Sequence, residues 1–284
     1  MNTVYDISLL CVNEMLSLAC LVYDCNNELK LKKENNIFTI NDLKIDTLKI
    51  SSIRKKILRD LFKLHINDKY DAVINKFIDI NGVQIIIVTN NTNKRINVVF
   101  RGSDELSDWF ANLFVVKKNL GDNIKVHSGF YNLLFKDNLY NIISNEIKKI
   151  HNIYSDYTLN IVGHSLGGAF ATLYSYFLSY EIDTNIYVFS FASPRVGNKN
   201  WCNIYNNTTN IKHFRYVNRK DIVTAIPYLF YSHCGHYIKI NKKNVINFID
   251  KTNYKDINSF VNYYSIKDHS IDNYYTNYNL CYKN

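Results

Sequence analysis

Short apolar runs alternate along this chain with segments in which apolar residues recur every three or four positions. The runs at 83–88 and 95–100 flank a polar Asn-Asn-Thr-Asn stretch, which predicts two strands joined by a turn. Later runs of strand length lie at 157–162, 185–191 and 211–217. Bounded apolar runs of this length are typical of buried strands.

Segments in which apolar residues recur at helical spacing lie between these predicted strands. The segment 130–150 carries Ile143 and Ile147 one helical turn apart, and residues 169–178 are apolar on all sides. Residues 5–24 predict an amphipathic helix. Strands that alternate with helices predict an α/β fold, with a mostly parallel central sheet covered by helices on both faces.

The most informative motif is the sequence Gly-His-Ser-Leu-Gly-Gly-Ala at 163–169. It lies between a predicted strand and a predicted helix, which is the setting of a nucleophile elbow. Side chains at Gly163 or Gly167 would collide with the adjoining strand or helix at so sharp a turn. The motif predicts Ser165 as a catalytic nucleophile, whereas His164 is interpreted as structural and as facing away from it.

An elbow serine needs an acid and a base, which follow it along the chain in that order. Asp221 comes just after the strand predicted at 211–217, at the carboxyl end where site residues collect. Three other aspartates lie in linking or polar stretches and fit less well: Asp183, Asp250 and Asp256. The base stays open between His233, in an apparent turn that also holds His236, and His269, in a late loop.

Composition and charge restrict the class of protein. The chain has 284 residues, of which 47% are hydrophobic, with 2 prolines and 9 glycines. These values predict one domain over 1–284, in which 1–70 form a mostly helical N-terminal region. The net charge of +9 allows an anionic partner such as a membrane surface. The basic residues are scattered and no nucleic-acid motif is present, so no nucleic acid is expected.

Cysteines and the N-terminus bear on the compartment. Six cysteines without a Cys-x-x-Cys pair are at least as consistent with buried free thiols as with disulfides. The chain has no apolar run long enough for a transmembrane helix. Asp6, Asn13 and Glu14 do not fit a signal peptide. An intracellular, cytoplasmic location is therefore favoured over secretion.

From about residue 83 to Cys281 the chain resembles the class 3 (fungal-type) lipases of the α/β-hydrolase superfamily. The first seventy or so residues match only loosely. Six segments carry the resemblance in order: Val99–Ser103, Lys125–Phe130, the elbow, Ser193–Gly197, Val217–Val223 with Pro227, and Asp268–His269 followed by Tyr274.

The resemblance implies an α/β-hydrolase fold with a lid helix and assigns a role to each site residue. Ser165 would be the nucleophile, Asp221 the orienting acid and His269 the general base. Ser103 and the backbone amide of Leu166 would form the oxyanion hole. His233 falls on a structural turn of the family, and the chemistry implied requires no metal or cofactor.

The segment from Asp104 to about Asn119 occupies the position of the family's lid. Its apolar members are Leu106, Trp109, Phe110, Leu113 and Phe114. Such a helix would cover the serine in water and open onto lipid. Core packing is an equally good interpretation of Trp109. Many relatives carry an aspartate where this chain has Asn112, which affects how the open lid would be stabilised.

These observations lead to a serine carboxylester hydrolase that acts on lipid esters at a lipid–water interface. A triacylglycerol lipase is the first interpretation, and a phospholipase A1 on anionic membranes is a comparable alternative. A lipase-like scaffold that binds lipid or signals without turnover is a third, because fold alone does not establish function. The sequence does not determine the oligomeric state.

Overall fold

The computed structural model describes residues 8–24, 38–63, 70–103, 116–241, 245–248 and 264–281. Within these ranges the strands are β1 (Phe38–Thr39), β2 (Ala72–Ile80), β3 (Val83–Asn90), β4 (Arg95–Phe100), β5 (Lys117–Asn119), β6 (Lys125–His127), β7 (Thr158–His164), β8 (Ile186–Phe191), β9 (Ile211–Asn218), β10 (His236–Ile240) and β11 (Val245–Phe248). The α-helices are α1 (Leu9–Asp24), α2 (Ser52–Lys63), α3 (Ser128–Phe135), α4 (Leu139–Ile153), α5 (Leu166–Leu178), α6 (Lys199–Asn207) and α7 (Ile271–Leu280).

Nine of the strands in the described ranges form the central sheet, in the order β1-β2-β3-β4-β7-β8-β9-β10-β11. Strands β4, β7, β8, β9 and β10 are mutually parallel, and the pairs at both edges are antiparallel. Parallel neighbours need crossover connections, which α3 to α6 supply from β4 to β9; the connection from β9 to β10 holds only the short 3₁₀ helix Val223–Ala225. The prediction of an α/β-hydrolase fold with a helix-covered central sheet is confirmed.

Side-chain alternation along each strand divides the core into two layers. Ile85 and Ile87 of β3 pack with α3 to α6 on one face, whereas Ile86 and Val88 pack with α1, α2 and α7 on the other. Both faces are therefore buried, which explains why the central strands are almost continuously apolar. None of the helices in the described ranges is long and apolar enough to cross a membrane.

Helix α1 differs from its prediction, because it is buried nearly all round instead of amphipathic. Its polar residue Glu14 is fully buried and accepts hydrogen bonds from the Tyr70 hydroxyl (3.1 Å) and the Asn90 amide (2.6 Å). Arg95 forms an ion pair with the same carboxylate. These long-range partners satisfy a charge that the sequence pattern assigns to solvent.

Two other local predictions change. The helix predicted over 130–150 is two helices, because Asp137 and Asn138 adopt positive φ angles and break it. Strand β2 was not predicted from the sequence, and it forms a hairpin with β3 through the Asn81-Gly82 turn. Both turn residues have positive φ, as tight hairpin turns require. The single domain over 1–284 stays a prediction.

The sheet brings the candidate site residues to one edge. Ser103 follows the carboxyl end of β4, Ser165 follows β7, and Asp221 lies three residues beyond β9. Because these strands are parallel, their carboxyl ends lie along the same edge of the sheet, where ligands bind in open α/β folds.

The buried charge of Glu14 gives the first testable prediction. Glu14→Ala leaves Arg95 without its carboxylate and removes an acceptor from the buried Tyr70 hydroxyl and the buried Asn90 amide, so the free energy of unfolding should fall by about 3 kcal/mol or more. Asp156→Ala is the matched control, because it breaks the exposed pair with Lys94 and should cost less than about 1 kcal/mol. Urea denaturation measures both, and equal losses would contradict the assignment.

Candidate active site

Ser165 occupies the sharp turn between β7 and α5. Its φ of 57° and ψ of −126° lie outside the regions favoured by non-glycine residues, a strain that costs on the order of 1–3 kcal/mol. The turn is held in place because the Ser165 N–H donates to the Phe191 carbonyl (2.9 Å) and the Gly168 N–H donates to the Ser165 carbonyl (2.9 Å). The geometry is that of a nucleophile elbow.

Close backbone approach explains the glycines of the elbow. A Cβ on Gly163 would overlap the carbonyl of Gly167, and a Cβ on Gly167 would overlap the carbonyl of Phe100. The start of α5 therefore lies directly against the ends of β4 and β7. The collision expected from the sequence would therefore be with these two backbone carbonyls.

Asp221 and His269 form a buried hydrogen-bonded pair. His269 Nδ1 lies 2.9 Å from Asp221 Oδ1 and 3.1 Å from Oδ2, and both side chains are almost fully shielded from solvent. A carboxylate only accepts hydrogen bonds, so the proton of a neutral His269 lies on Nδ1 and Nε2 keeps its lone pair. The Val223 amide (2.9 Å) and the Tyr274 hydroxyl (2.7 Å) also donate to Asp221.

The segment that carries His269 is tied to the end of β9. Asp268 accepts from Arg219 (3.1 Å) and from the Lys220 amide (3.2 Å), while its carbonyl accepts from Asn218 (2.8 Å). Ser270 then caps α7 by accepting from the Asp272 amide. These contacts hold the residues before and after His269 in place, and so they fix the position of its imidazole.

Two atoms of the site are buried without a hydrogen-bond partner among the described residues: Ser165 Oγ and His269 Nε2. Buried polar atoms usually have partners, and exceptions are common where chemistry takes place. The hydroxyl and the imidazole nitrogen do not form a standard hydrogen bond with each other here. Catalytic hydrogen bonds are often long before substrate binds.

His164 packs against His269, with the ring centroids 4.8 Å apart. Its Nε2 lies 2.8 Å from the His269 carbonyl and must donate to it, so Nδ1 accepts from the Tyr23 hydroxyl at 3.2 Å. Burial lowers the pKa of His164 well below its usual value, and repulsion from His269 lowers it further. His164 is therefore a neutral structural contact of His269.

Tyr23 and Tyr274 are contacts that the sequence analysis did not find. Tyr274 appeared only as part of the family pattern, and Tyr23 only within a loose match. Burial raises the pKa of both hydroxyls, and the carboxylate of Asp221 raises that of Tyr274 further. Both hydroxyls thus stay protonated and donate, although no local motif marks them.

The oxyanion candidates lie at the same edge. Leu166 supplies the first amide of α5, and an amide in that position has no acceptor within its own helix. Ser103 is half-buried and follows Gly102, where a Cβ would overlap the Tyr23 hydroxyl. The residues assigned to the lid lie outside the described residues: Leu106, Trp109, Phe110, Leu113 and Phe114. Asn112, where many relatives carry an aspartate, lies outside them as well.

The remaining candidates do not join the pair. The His233 Nε2 atom lies 2.6 Å from the Thr224 carbonyl, a contact that fits the structural turn implied by the family. Asp183 is exposed in the turn before β8, at the opposite edge of the sheet. Asp250 and Asp256 lie outside the described ranges. In the part of the chain that the structure describes, no group of three or more His, Cys, Asp or Glu could hold a metal ion.

The central sheet and the elbow define an α/β-hydrolase fold. Residues 97–231, just under half of the chain, match the model of the class 3 lipase family. This match agrees with the resemblance that the motifs indicate.

Individual relatives extend the comparison. A lipase of Rhizomucor miehei is 31% identical over 150 residues, which cover 50% of this chain and 40% of the relative. A phospholipase A1-II 1 of Oryza sativa is 28% identical over 166 residues, 51% of this chain and 42% of the relative. The chain thus spans less than half the length of these curated relatives. The crystal structure of the mono- and diacylglycerol lipase from Aspergillus oryzae shares the fold, with a TM-score of 0.73 at 19% identity over 95% of this chain and 99% of the other.

The hydroxyl of Tyr23 gives a testable prediction about the base. Tyr23→Phe keeps the ring but leaves the buried His164 Nδ1 without a donor, so the free energy of unfolding should fall by about 1–3 kcal/mol. Because His164 packs on His269, kcat for ester hydrolysis should fall while KM is retained.

Tyr187→Phe is the control, since this half-buried side chain accepts a hydrogen bond from Lys212 at 3.4 Å and does not contact His164 or His269. It should change the stability by less than about 0.5 kcal/mol and leave kcat unchanged. Steady-state kinetics on a soluble ester measure kcat and KM for both variants. An unaltered kcat in folded Tyr23→Phe would refute a role for this hydroxyl in holding the base.

Proposed function

We propose that this chain is a serine carboxylester hydrolase that acts on lipid esters. The observation that carries the proposal is the buried Asp221–His269 pair. His269 Nε2 and Ser165 Oγ are both buried without a hydrogen-bond partner among the described residues. Ser165 is the nucleophile, His269 the general base and Asp221 the residue that orients the imidazole. The match of residues 97–231 to the class 3 lipase family supports lipid esters as the substrate class.

The first half of the reaction forms an acyl-enzyme. His269 Nε2 takes the proton of Ser165 as the hydroxyl oxygen attacks the ester carbonyl. Asp221 keeps the other ring proton on Nδ1 and stabilises the imidazolium that forms. The same histidine then gives its proton to the departing alcohol, so the proton balance of this half-reaction closes within the triad.

The oxyanion of the tetrahedral intermediate needs donors that are already in position. We assign this role to the amide of Leu166, at the positive end of α5, and to Ser103 after β4. Removal of one such donor typically costs about 3–4 kcal/mol of transition-state stabilisation. Water then attacks the acyl-enzyme with His269 again as the base, and the fatty acid leaves. This proton and acyl transfer requires no metal or cofactor.

The preferred lipid is a separate question. Relatives include both lipases and phospholipases A1, so triacylglycerols and phospholipids are the two candidate substrates. The net charge of +9 favours peripheral binding to anionic membranes and supports the phospholipid alternative. Parallel assays on emulsified triacylglycerol and on phospholipid vesicles separate the two.

Ser165→Ala tests the nucleophile. The variant should lose hydrolysis of emulsified long-chain esters by a factor on the order of a millionfold in kcat, because no other hydroxyl is held at the elbow. Ser144→Ala is the matched control, since this buried serine lies in α4 and its hydroxyl bonds that of Tyr174, away from the elbow. It should keep near wild-type activity.

Two results would contradict the proposal. Retained hydrolysis in folded Ser165→Ala would exclude this residue as the nucleophile. A folded wild-type chain that turns over neither triacylglycerol, phospholipid nor a short soluble ester would favour the non-catalytic scaffold.

A further inference from the structure

A turn beyond β9 exposes three consecutive large side chains to solvent. Tyr228 is 53% exposed, Leu229 58% and Phe230 74%, the last being the most exposed large hydrophobic side chain in the described ranges. Val116, which is 60% exposed, lies beside them. We call Tyr228–Phe230 the apolar turn. Clustered apolar exposure of this kind marks binding surfaces in soluble proteins.

The apolar turn has a fixed position at the edge of the sheet that holds the proposed triad. It belongs to the same connection as Asp221, which leaves the carboxyl end of β9. The Tyr231 hydroxyl donates to the Val116 carbonyl at 3.2 Å, which joins the turn to the start of the β5–β6 hairpin. Buried Arg195 donates to the Pro227 carbonyl at 3.1 Å and so anchors the base of the turn.

Positive charge accompanies this apolar surface. The ammonium of Lys117 lies 4.6 Å from the ring centroid of Phe230 and 5.2 Å from that of Tyr231. Burial lowers the pKa of Lys117, and the nearby charge of Lys125 lowers it further. Residues 116–121 and 223–235 contain no Asp or Glu. The surface therefore offers cations and apolar side chains without a carboxylate from its own segments.

We propose that the apolar turn, with Val116 and Lys117, docks the chain on an anionic phospholipid layer. At membrane interfaces, aromatic and aliphatic side chains enter the headgroup region, while lysines stay beside the lipid phosphates. The proposal rests on the proposed function in one respect: a lipid ester reaches Ser165 from the edge of the sheet that this surface borders. It predicts that the docked chain presents that edge to the lipid.

The test compares the double variant L229S/F230S with the wild-type chain. Co-sedimentation with phosphatidylcholine vesicles, with and without phosphatidylserine, measures binding. Loss of two large apolar groups should weaken vesicle binding about tenfold or more. The ratio of vesicle-phospholipid hydrolysis to hydrolysis of a water-soluble short-chain ester should fall by a similar factor. Ile153→Ser is the matched control, because Ile153 is 73% exposed at the opposite edge of the sheet.

Lys117→Ala tests the electrostatic part. It should weaken binding only to vesicles that contain phosphatidylserine, and added salt should reduce the difference from wild type. Any of three results would overturn the proposal. Wild-type binding could be independent of phosphatidylserine, the double variant could bind vesicles as well as wild type, or Ile153→Ser could lose as much vesicle binding as the double variant. Self-association that the double variant abolishes, with vesicle binding unchanged, would identify a second copy as the occupant and also overturn the proposal.

The experiment tests the docking surface and the proposed function separately. If the wild-type chain hydrolyses neither the soluble ester nor phospholipid, the proposed function fails. Co-sedimentation of wild type, L229S/F230S and Ile153→Ser still decides whether the apolar turn docks on lipid.

Discussion

The close approach of backbone segments at the elbow is the constraint on which the site depends. The first turn of α5 reaches the ends of β4 and β7 only because Gly163 and Gly167 lack side chains. This approach forces Ser165 into a strained backbone conformation and aims the start of α5 at the edge of the sheet. The hydrogen bond from Ser165 to Phe191 then ties the turn to β8. A serine elsewhere on the sheet would have neither the sharp turn at the strand end nor the first amides of the helix beside it.

Burial and hydrogen bonding fix the orientation of the Asp221–His269 pair. Asp221 is excluded from water and satisfied by His269, Tyr274 and a backbone amide, so its charge is held without solvent. That arrangement fixes the proton on Nδ1 of the imidazole and leaves Nε2 as the acceptor. The neutral ring of His164 supports the same imidazole, and Tyr23 of α1 in turn supports His164. The N-terminal helix thus contributes to a site formed by the distant half of the chain.

Local motifs could be interpreted from the sequence, whereas partners distant in sequence could not. The elbow needs only its own glycines and flanking elements, and Asp221 needs only the end of its strand. Spacing left His233 and His269 equal, because their difference lies in three-dimensional contacts: one meets the Thr224 carbonyl and the other meets Asp221. Tyr23 lies 141 positions from His164, and the buried charge of α1 likewise depends on remote strands.

Covalent labelling at the elbow tests the central claim most directly. A long-chain alkyl fluorophosphonate reacts with an activated serine, and peptide mass spectrometry locates the adduct. The account predicts one adduct, on the peptide that contains Ser165, and labelling slowed by several orders of magnitude in Asp221→Asn, where the imidazole is no longer held in the right tautomer. A folded chain that stays unlabelled, or that is labelled on another residue, would contradict the account.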